Sequence, residues 1–538
     1  MSYDEVSFLS GVAVGRNMRS WPMLDQPEGL FRFSILIREM RDVFGHPLIV
    51  PSVYRFAFQG AGTVDWGDGS TTEYGYSTSR AASHSYAEAG LYQVTFDGKL
   101  NWIRWSAVIG SGVDSDSTKA LISIDAPLPE HYSTEALALD CRNMCLNCTS
   151  LVHIPRRLFS RQAASGAYLS DLDYIFTGCS ALRQLPPDLF EGIEIRAESM
   201  AFAFRFCAIR QIPETLFAGV TGPMSFEYCF NDCAALTEIP AGLFDNCVGA
   251  TDFSACFNGC SALTEIPAGL FDSCTNATDF STCFAGCSSL TTVPAALFAN
   301  CQAVDLRGVF RNCSLLAEAP DGVFAGCAGV TTFQNAFYGC AALMDISADL
   351  FAGCIAAESF SGTFRYSGLT EIPSGLFDDC PGATDFSWCF ANLNITQIPA
   401  GLFDGCSQVT TFASTFRDTL LTGIPIGLFD DCAAAEDFSY CFYQTRLVQI
   451  PQGLFAYCPS AATFDYLCGN VVALLTAPLN AFAGTAIASI RGGFRSCYYL
   501  QYAPELWEAF PSADGTDCFY DCGGASNYSS VPSSWGGP

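Results

Sequence analysis

The sequence predicts an α/β solenoid of about fifteen stacked coils with a small β-sandwich ahead of it, and three observations carry that expectation. The first is repetition: LTEIPAGLFDNC, beginning at Leu236, returns as LTEIPAGLFDSC at Leu263. The second is its period. The proline of the phrase, or its replacement, falls at Pro155, Pro186, Pro213, Pro240, Pro267, Pro294, Pro320, Ser347, Pro373, Pro399, Pro425, Pro451, Pro478, Pro504 and Pro532, spaced by 26 or 27 residues in all but the first and last intervals. A unit of that length cannot bury its own apolar face and stacks on copies of itself. The third is a change of pattern before residue 110, where Asp-Gly turns and alternating apolar residues replace the repeat.

One unit, Cys233 to Gly259, shows the expected coil. Leu236 and Ile239 stand three apart, and Pro240 removes a backbone donor, so the strand there is short. Leu243, Phe244 and Cys247 form a second apolar cluster. Phe253, Cys256, Phe257 and Cys260 then recur at three-and-four spacing, which predicts a short helix. Strand, turn and helix repeat, and roughly fifteen strands at about 4.8 Å make a ladder on the order of 70 Å long.

The CxxLxxIPxxLFxxC and FxxCFxxC phrases resemble the BspA-like leucine-rich repeats, seen in surface proteins of gut and oral bacteria and in phage of those hosts. The resemblance covers residues 121–538 and departs from the better-known repeat in lacking a regular Asn after the strand. Before it, VDWGDGS (Val64–Ser70) and HSYAEAGLYQVTF (His84–Phe96) resemble the PKD-type immunoglobulin-like sandwich, whose landmarks are WGDG and HxYxxxGxYxV. This module is placed at 46–108, with a small, polar linker, including GSGVDSDS, at 109–120. The resemblance implies a spacer or binding module. Residues 1–45, including FLSGVAVGRNMRSWP, resemble the N-terminal segment of tailed-phage structural proteins. A virion-docking arm and a packing arm for the next module are both open readings. The acidic opening MSYDEVS lacks the basic region of a secretory signal.

Composition excludes several classes of partner. The formal net charge is −29, and the only lysines are Lys99 and Lys119, so phosphate backbones and anionic membranes are repelled. The longest uncharged run, Cys468 to Ile490, contains Asn470, Pro478, Asn480 and Gly484 in repeat register and reads as a coil, not a membrane span.

The 28 cysteines fall largely at fixed repeat positions, among them Cys247, Cys274, Cys301, Cys327, Cys354, Cys380, Cys406, Cys432 and Cys458. Buried packing is the expected role, with disulfides between columns as an alternative. Cys145 with Cys148 and Cys518 with Cys522 lack the partner pairs of a zinc site. No metal or catalytic site is expected. His46, His84, His131 and His153 lie in unrelated contexts without HExxH or GxSxG neighbours. A glycosidase-like carboxylate pair is the lesser alternative.

The residue before the strand's Ile forms a second series: Glu238, Glu265, Thr292, Glu318, Asp345, Glu371, Gln397, Gly423 and Gln449. In leucine-rich repeats this side chain faces the concave surface. Like charges one strand apart repel, and either water and salt or bridging calcium relieves them. The series is thus either a solvated face or a recognition surface for host carbohydrate or protein. The expected function is non-enzymatic: a phage tail or head fibre, joined to other virion proteins through its N-terminal region and acting as a homo-oligomer. A bacterial surface adhesin is the alternative setting.

Overall fold

The computed structural model describes residues 30–37, 40–41, 47–48, 52–106, 115–133, 137–220, 222 and 224–538. Most of the expected arm and the first part of the expected linker lie outside them.

The alternating run FRFSILI makes β1 (Phe31–Ile37), with Phe31, Phe33, Ile35 and Ile37 buried on one face. Short β2 (Met40–Arg41) and β3 (Pro47–Leu48) pair with each other. Long β4 (Ser52–Asp65), β5 (Thr71–Tyr86) and β6 (Gly90–Arg104) follow, then α1 (Ser115–Ala120) and β7 (Leu121–Ile124). Five of these strands form one sheet in the order β5-β4-β6-β1-β7. Register shifts at Gly60 and Gly62 bend β4. At Gly62 a Cβ would lie 2.4 Å from the Asp97 carbonyl oxygen, so only glycine lets β4 and β6 approach there. Phe33 meets Phe56 edge-on at 5.3 Å although β6 separates their strands, so the sheet curls over its own core.

Three boundary expectations change. The sheet is continuous, not two facing sheets. It begins in the segment assigned to the arm, because β1 is hydrogen-bonded along both edges, to β6 and to β7. The end of the linker is α1, whose Ser117 hydroxyl accepts from the Arg55 N–H at 3.0 Å.

Strand β7 also starts the solenoid. The Val152 N–H donates to the Ile122 carbonyl at 2.8 Å, and the Ile124 N–H to the His153 carbonyl at 3.1 Å. The first coil is thereby sealed by the sheet, as the end of a repeat stack requires. A single hydrophobic core runs from Phe31 to Trp535.

Within the repeats, Phe253–Cys260 is not helical. The N–H groups of Phe253, Ala255, Phe257 and Gly259 donate to Asp279, Ser281, Cys283 and Ala285 in the next coil, at 2.7 to 2.9 Å. Those of Cys256, Asn258 and Cys260 close tight turns onto Phe253, Ala255 and Phe257, at 3.1 to 3.2 Å. Ala255 (φ 50°) and Gly259 (φ 76°) are left-handed, which an α-helix does not tolerate. The three-and-four spacing arises because two successive turns each send a Phe and a Cys inward.

The ladder also lies elsewhere than expected. Parallel bridges run through Asp252, Asp279, Asp305, Thr332, Ser359, Asp385, Thr411, Asp437, Thr463, Ser489 and Asp514. The Leu236–Ile239 position is bridged only locally, as between Gln211 and Glu238 or Gln449 and Thr476. Asp, Ser and Thr recur on the ladder because the side chain accepts a hydrogen bond from the N–H two residues on. Asp252, Asp279, Asp385 and Asp437 each do so at 2.8 Å, opening the turn that follows.

Three phenylalanine columns fill the coils. Phe244, Phe271 and Phe298 stack at 5.9 and 6.2 Å; Phe226, Phe253 and Phe280 at 5.3 and 5.5 Å; Phe230, Phe257 and Phe284 at 5.5 and 5.6 Å. The first column meets the second at tilted or edge-on angles, a geometry that matches ring quadrupoles.

Candidate recognition faces

The WGDG and HxY segments form one locked turn. Asp65 accepts from the Gly67 N–H at 2.9 Å and Asp68 from the Ser70 N–H at 3.0 Å. Trp66 is fully buried, lies flat on His84 at 5.0 Å and donates to the Thr72 hydroxyl at 3.0 Å. Its carbonyl accepts from the Tyr86 hydroxyl at 2.8 Å. These motif residues are held for the turn itself. Desolvation alone would raise the Asp68 carboxyl, but hydrogen bonds from Ser70 and His84 outweigh it and lower it from 3.8 to about 2. A carboxyl depressed in the folded state stabilises above its unfolded pKa and loses that contribution as pH falls through the folded one. Between about pH 4 and pH 2 the wild-type sheet is therefore expected to lose stability that an Asp68→Asn variant never had. Thermal melts of both proteins across that range check this; parallel losses would contradict it.

All 28 cysteines are free and buried. In one column the thiol donates to a carbonyl one coil back: Cys233 to Phe204 at 3.1 Å, Cys260 to Phe230 at 3.3 Å, Cys313 to Phe284 at 3.2 Å. Threonines at related positions do the same, as Thr363 to Phe333 at 3.0 Å and Thr415 to Phe386 at 3.1 Å. Burial pushes the Cys260 and Cys256 thiols well above their ordinary range, so they stay protonated and unreactive. A thiol reagent is expected to leave the native protein nearly unlabelled and to titrate all 28 thiols after denaturation without reductant. Recovery of far fewer would restore the disulfide alternative. Among the described residues no group of three or more His, Cys, Asp and Glu is placed to hold a metal ion, and no helix is long and apolar enough to cross a membrane.

Glu238, Glu265, Thr292, Glu318, Asp345, Glu371, Gln397 and Gln449 are all exposed, one per coil, as the repeat register requires. The carboxylate of Glu238 accepts from Gln211 Nε2 in the preceding coil at 2.6 Å. Gly423 interrupts the series.

A second face escaped the sequence reading. It is built on the left-handed turns, where the backbone throws side chains outward. Trp388 is clasped by two guanidiniums, Arg365 at 4.0 Å and Arg417 at 5.1 Å from its ring. Arg365 also covers Tyr366 at 4.8 Å. Arg417 spans the gap over buried Ser414 to Tyr440 at 5.2 Å and Tyr443 at 4.8 Å. Tyr440 stacks on Tyr466 at 4.8 Å, and Asn470 Nδ2 donates to the Tyr443 hydroxyl at 2.6 Å. Arg311 lies over Tyr338 at 5.0 Å in the same row. Nearer the N-terminus Tyr174, Phe202 and Tyr228 stack at 4.7 and 4.8 Å, with Arg205 over Phe202 and Tyr228. Stacked guanidiniums are pre-organised, so little side-chain freedom remains to be lost on contact. The signal was present as a recurring Phe-Arg pair at residues 204–205, 310–311, 364–365, 416–417 and 494–495.

The BspA type leucine rich repeat region matches in six copies over residues 201–334, 318–462 and 370–492. No curated protein matches. Among solved structures, the chain is similar to one in the Toll–Spätzle complex of Drosophila: 15% identity, TM-score 0.30, covering 68% of this chain and 53% of that one. It is also similar to a chain of the TLR13–ssRNA13 complex at 12% identity and TM-score 0.28, covering 70% and 59%. The plant peptide hormone receptor RGFR1 with RGF2 gives 12% and 0.26, covering 72% and 71%. The chain thus spans about half the length of the Toll chain, and superpositions this loose say nothing of ligands. The family match spans 201–492, more than half of the sequence, and falls on the coils described above. The chain belongs to the BspA-type leucine-rich-repeat family.

Proposed function

We propose that this protein is a non-enzymatic, multivalent recognition protein of a tailed-phage virion, a tail or head fibre that meets its host through the solenoid surface. Leucine-rich repeats of this kind suit a protein-interaction or adhesion role, and the proposal adds the setting, a stack of about fifteen coils and the target. The observation that carries it is the display of exposed groups at one register position in coil after coil, Glu238 to Gln449. Repetition multiplies weak contacts without any single deep site. The segment before β1 is the proposed docking arm to other virion proteins, and host carbohydrate or protein the proposed target, with calcium bridging carboxylates where two are close. Buried thiols that stay protonated favour a packing role for the cysteines over a catalytic one.

Immunogold electron microscopy with antibody against the repeats, on particles and cells of the source culture, tests the setting. Label on tails or capsids is the expected result. Label confined to bacterial envelopes would replace the virion with a surface adhesin.

A further inference from the structure

Arg311, Arg365 and Arg417 occupy the same position of the coil at intervals of two coils, being 54 and 52 residues apart. Their guanidiniums are held in line by Tyr338, Tyr366, Trp388, Tyr440 and Tyr443. Arg417 has a carboxylate neighbour, Asp418, at 3.1 Å. Arg311 and Arg365 form no ion pair among the described residues; Arg365 instead donates to Asn392 Oδ1 at 3.2 Å and to the Tyr366 hydroxyl at 3.3 Å. Both guanidiniums thus carry positive charge that no carboxylate of their own chain pairs with among the described residues, in a chain of net charge −29.

The complementary series is on the same chain. Glu265, Glu318 and Glu371 occupy the exposed series at intervals of 53 residues, again two coils. None of the three forms an ion pair among the described residues. Coils rise by about 4.8 Å, so the arginines and these three glutamates are each spaced by roughly 10 Å, with Asp345 adding a carboxylate between Glu318 and Glu371. An extended polypeptide repeats one face every two residues, about 6.8 Å, and misses that interval. A second stack built on this repeat meets it at every charge and shares the same curvature.

We propose that the guanidinium–aromatic row docks on the Glu265–Glu318–Glu371 series of a second copy of this chain, so that solenoids associate side by side. A planar guanidinium fixed against a ring accepts a carboxylate on its free N–H edge. The contact is heterologous: each copy offers one surface of each kind, so it propagates to further copies unless the rotation closes a ring. The docking uses three glutamates of the same exposed series that the host-recognition reading invokes, so a paired copy covers them; sedimentation reads the pairing without any host target, and its failure leaves host recognition by that series standing.

Sedimentation velocity of the full chain, over a range of protein and salt concentrations, tests it. The wild type is expected to associate reversibly, less so at high salt. Arg365→Glu with Arg417→Glu, and separately Glu318→Lys with Glu371→Lys, are each expected to weaken association at least ~10-fold. Mixed in equal amounts, the two variants present the intact acidic series of one to the intact guanidinium row of the other and are expected to associate where neither does alone. Matched far-UV circular dichroism and melting temperatures separate lost docking from lost folding. A wild type that stays monomeric, or association that survives both reversals, would overturn the proposal, as would a mixture that does not pair.

Discussion

A chain lacking residues 1–45 is expected to lose its N-terminal sheet along with its arm. The cut removes β1, and with it Phe31, Phe33, Ile35 and Ile37, all at most 6% exposed. Burying four such side chains contributes about 6 to 12 kcal/mol as an upper estimate, comparable to the whole stability of an ordinary domain. The loss also leaves the backbone of β6 and β7 unpaired along one edge. A cut after residue 29 spares every one of those contacts. Limited proteolysis and near-ultraviolet circular dichroism of the two truncations should therefore diverge sharply. A native-like sheet in the longer truncation would mean that β1 is dispensable.

Phe271→Ala is expected to cost about 3 to 5 kcal/mol, the range for emptying a large aromatic from a close-packed core. Phe271 is fully buried and touches five rings: Phe244, Phe253, Phe280, Phe284 and Phe298, at 4.8 to 6.2 Å. Each coil packs only on its neighbours, so the damage should stay local. Hydrogen exchange should speed up in the coils around residues 244–298 and stay unchanged in the sheet. Uniform loss of protection along the chain would show that the stack unfolds as one unit instead.

The repeat length, the apolar columns and the burial of cysteine were legible because stacking forces equivalent residues into line. The backbone conformation was not. Phe253, Cys256, Phe257 and Cys260 satisfy a helical period, and periodicity cannot separate one helical face from two tight turns with inward side chains. The deciding residues were Gly259, Gly286, Asn312, Gly339, Asn392 and Asn470, at left-handed positions that glycine and asparagine adopt readily. The ladder was misplaced for a related reason: Leu236 and Ile239 announce burial, while Asp252 announces a turn, and the turn sets the pairing. The sheet's first strand lies in LFRFSILIREM, which reads as a strand or a helix and which no motif ties to the module that follows, although FRFSILI alternates cleanly. The Glu238 series lies at exposed positions, because the repeat register leaves that residue outside the apolar columns. The guanidinium row was missed because it combines two positions of the coil, neither of which is uniform along the chain.

The hydrogen-bond rule that joins coil to coil depends on register alone and ignores where in the stack a coil lies. Excising residues 253–279 would bring Phe280 directly behind Asp252 and rebuild the sequence TDFSTCF across the join. Every donor would find an acceptor of the same kind, and the phenylalanine columns would close up by one place. Such a chain can lengthen or shorten by whole coils with almost no structural penalty, and near-identical phrases such as LTEIPAGLFD make unequal recombination an easy route. Reach, and with it the number of charges displayed, is then a heritable quantity that changes in steps of one coil.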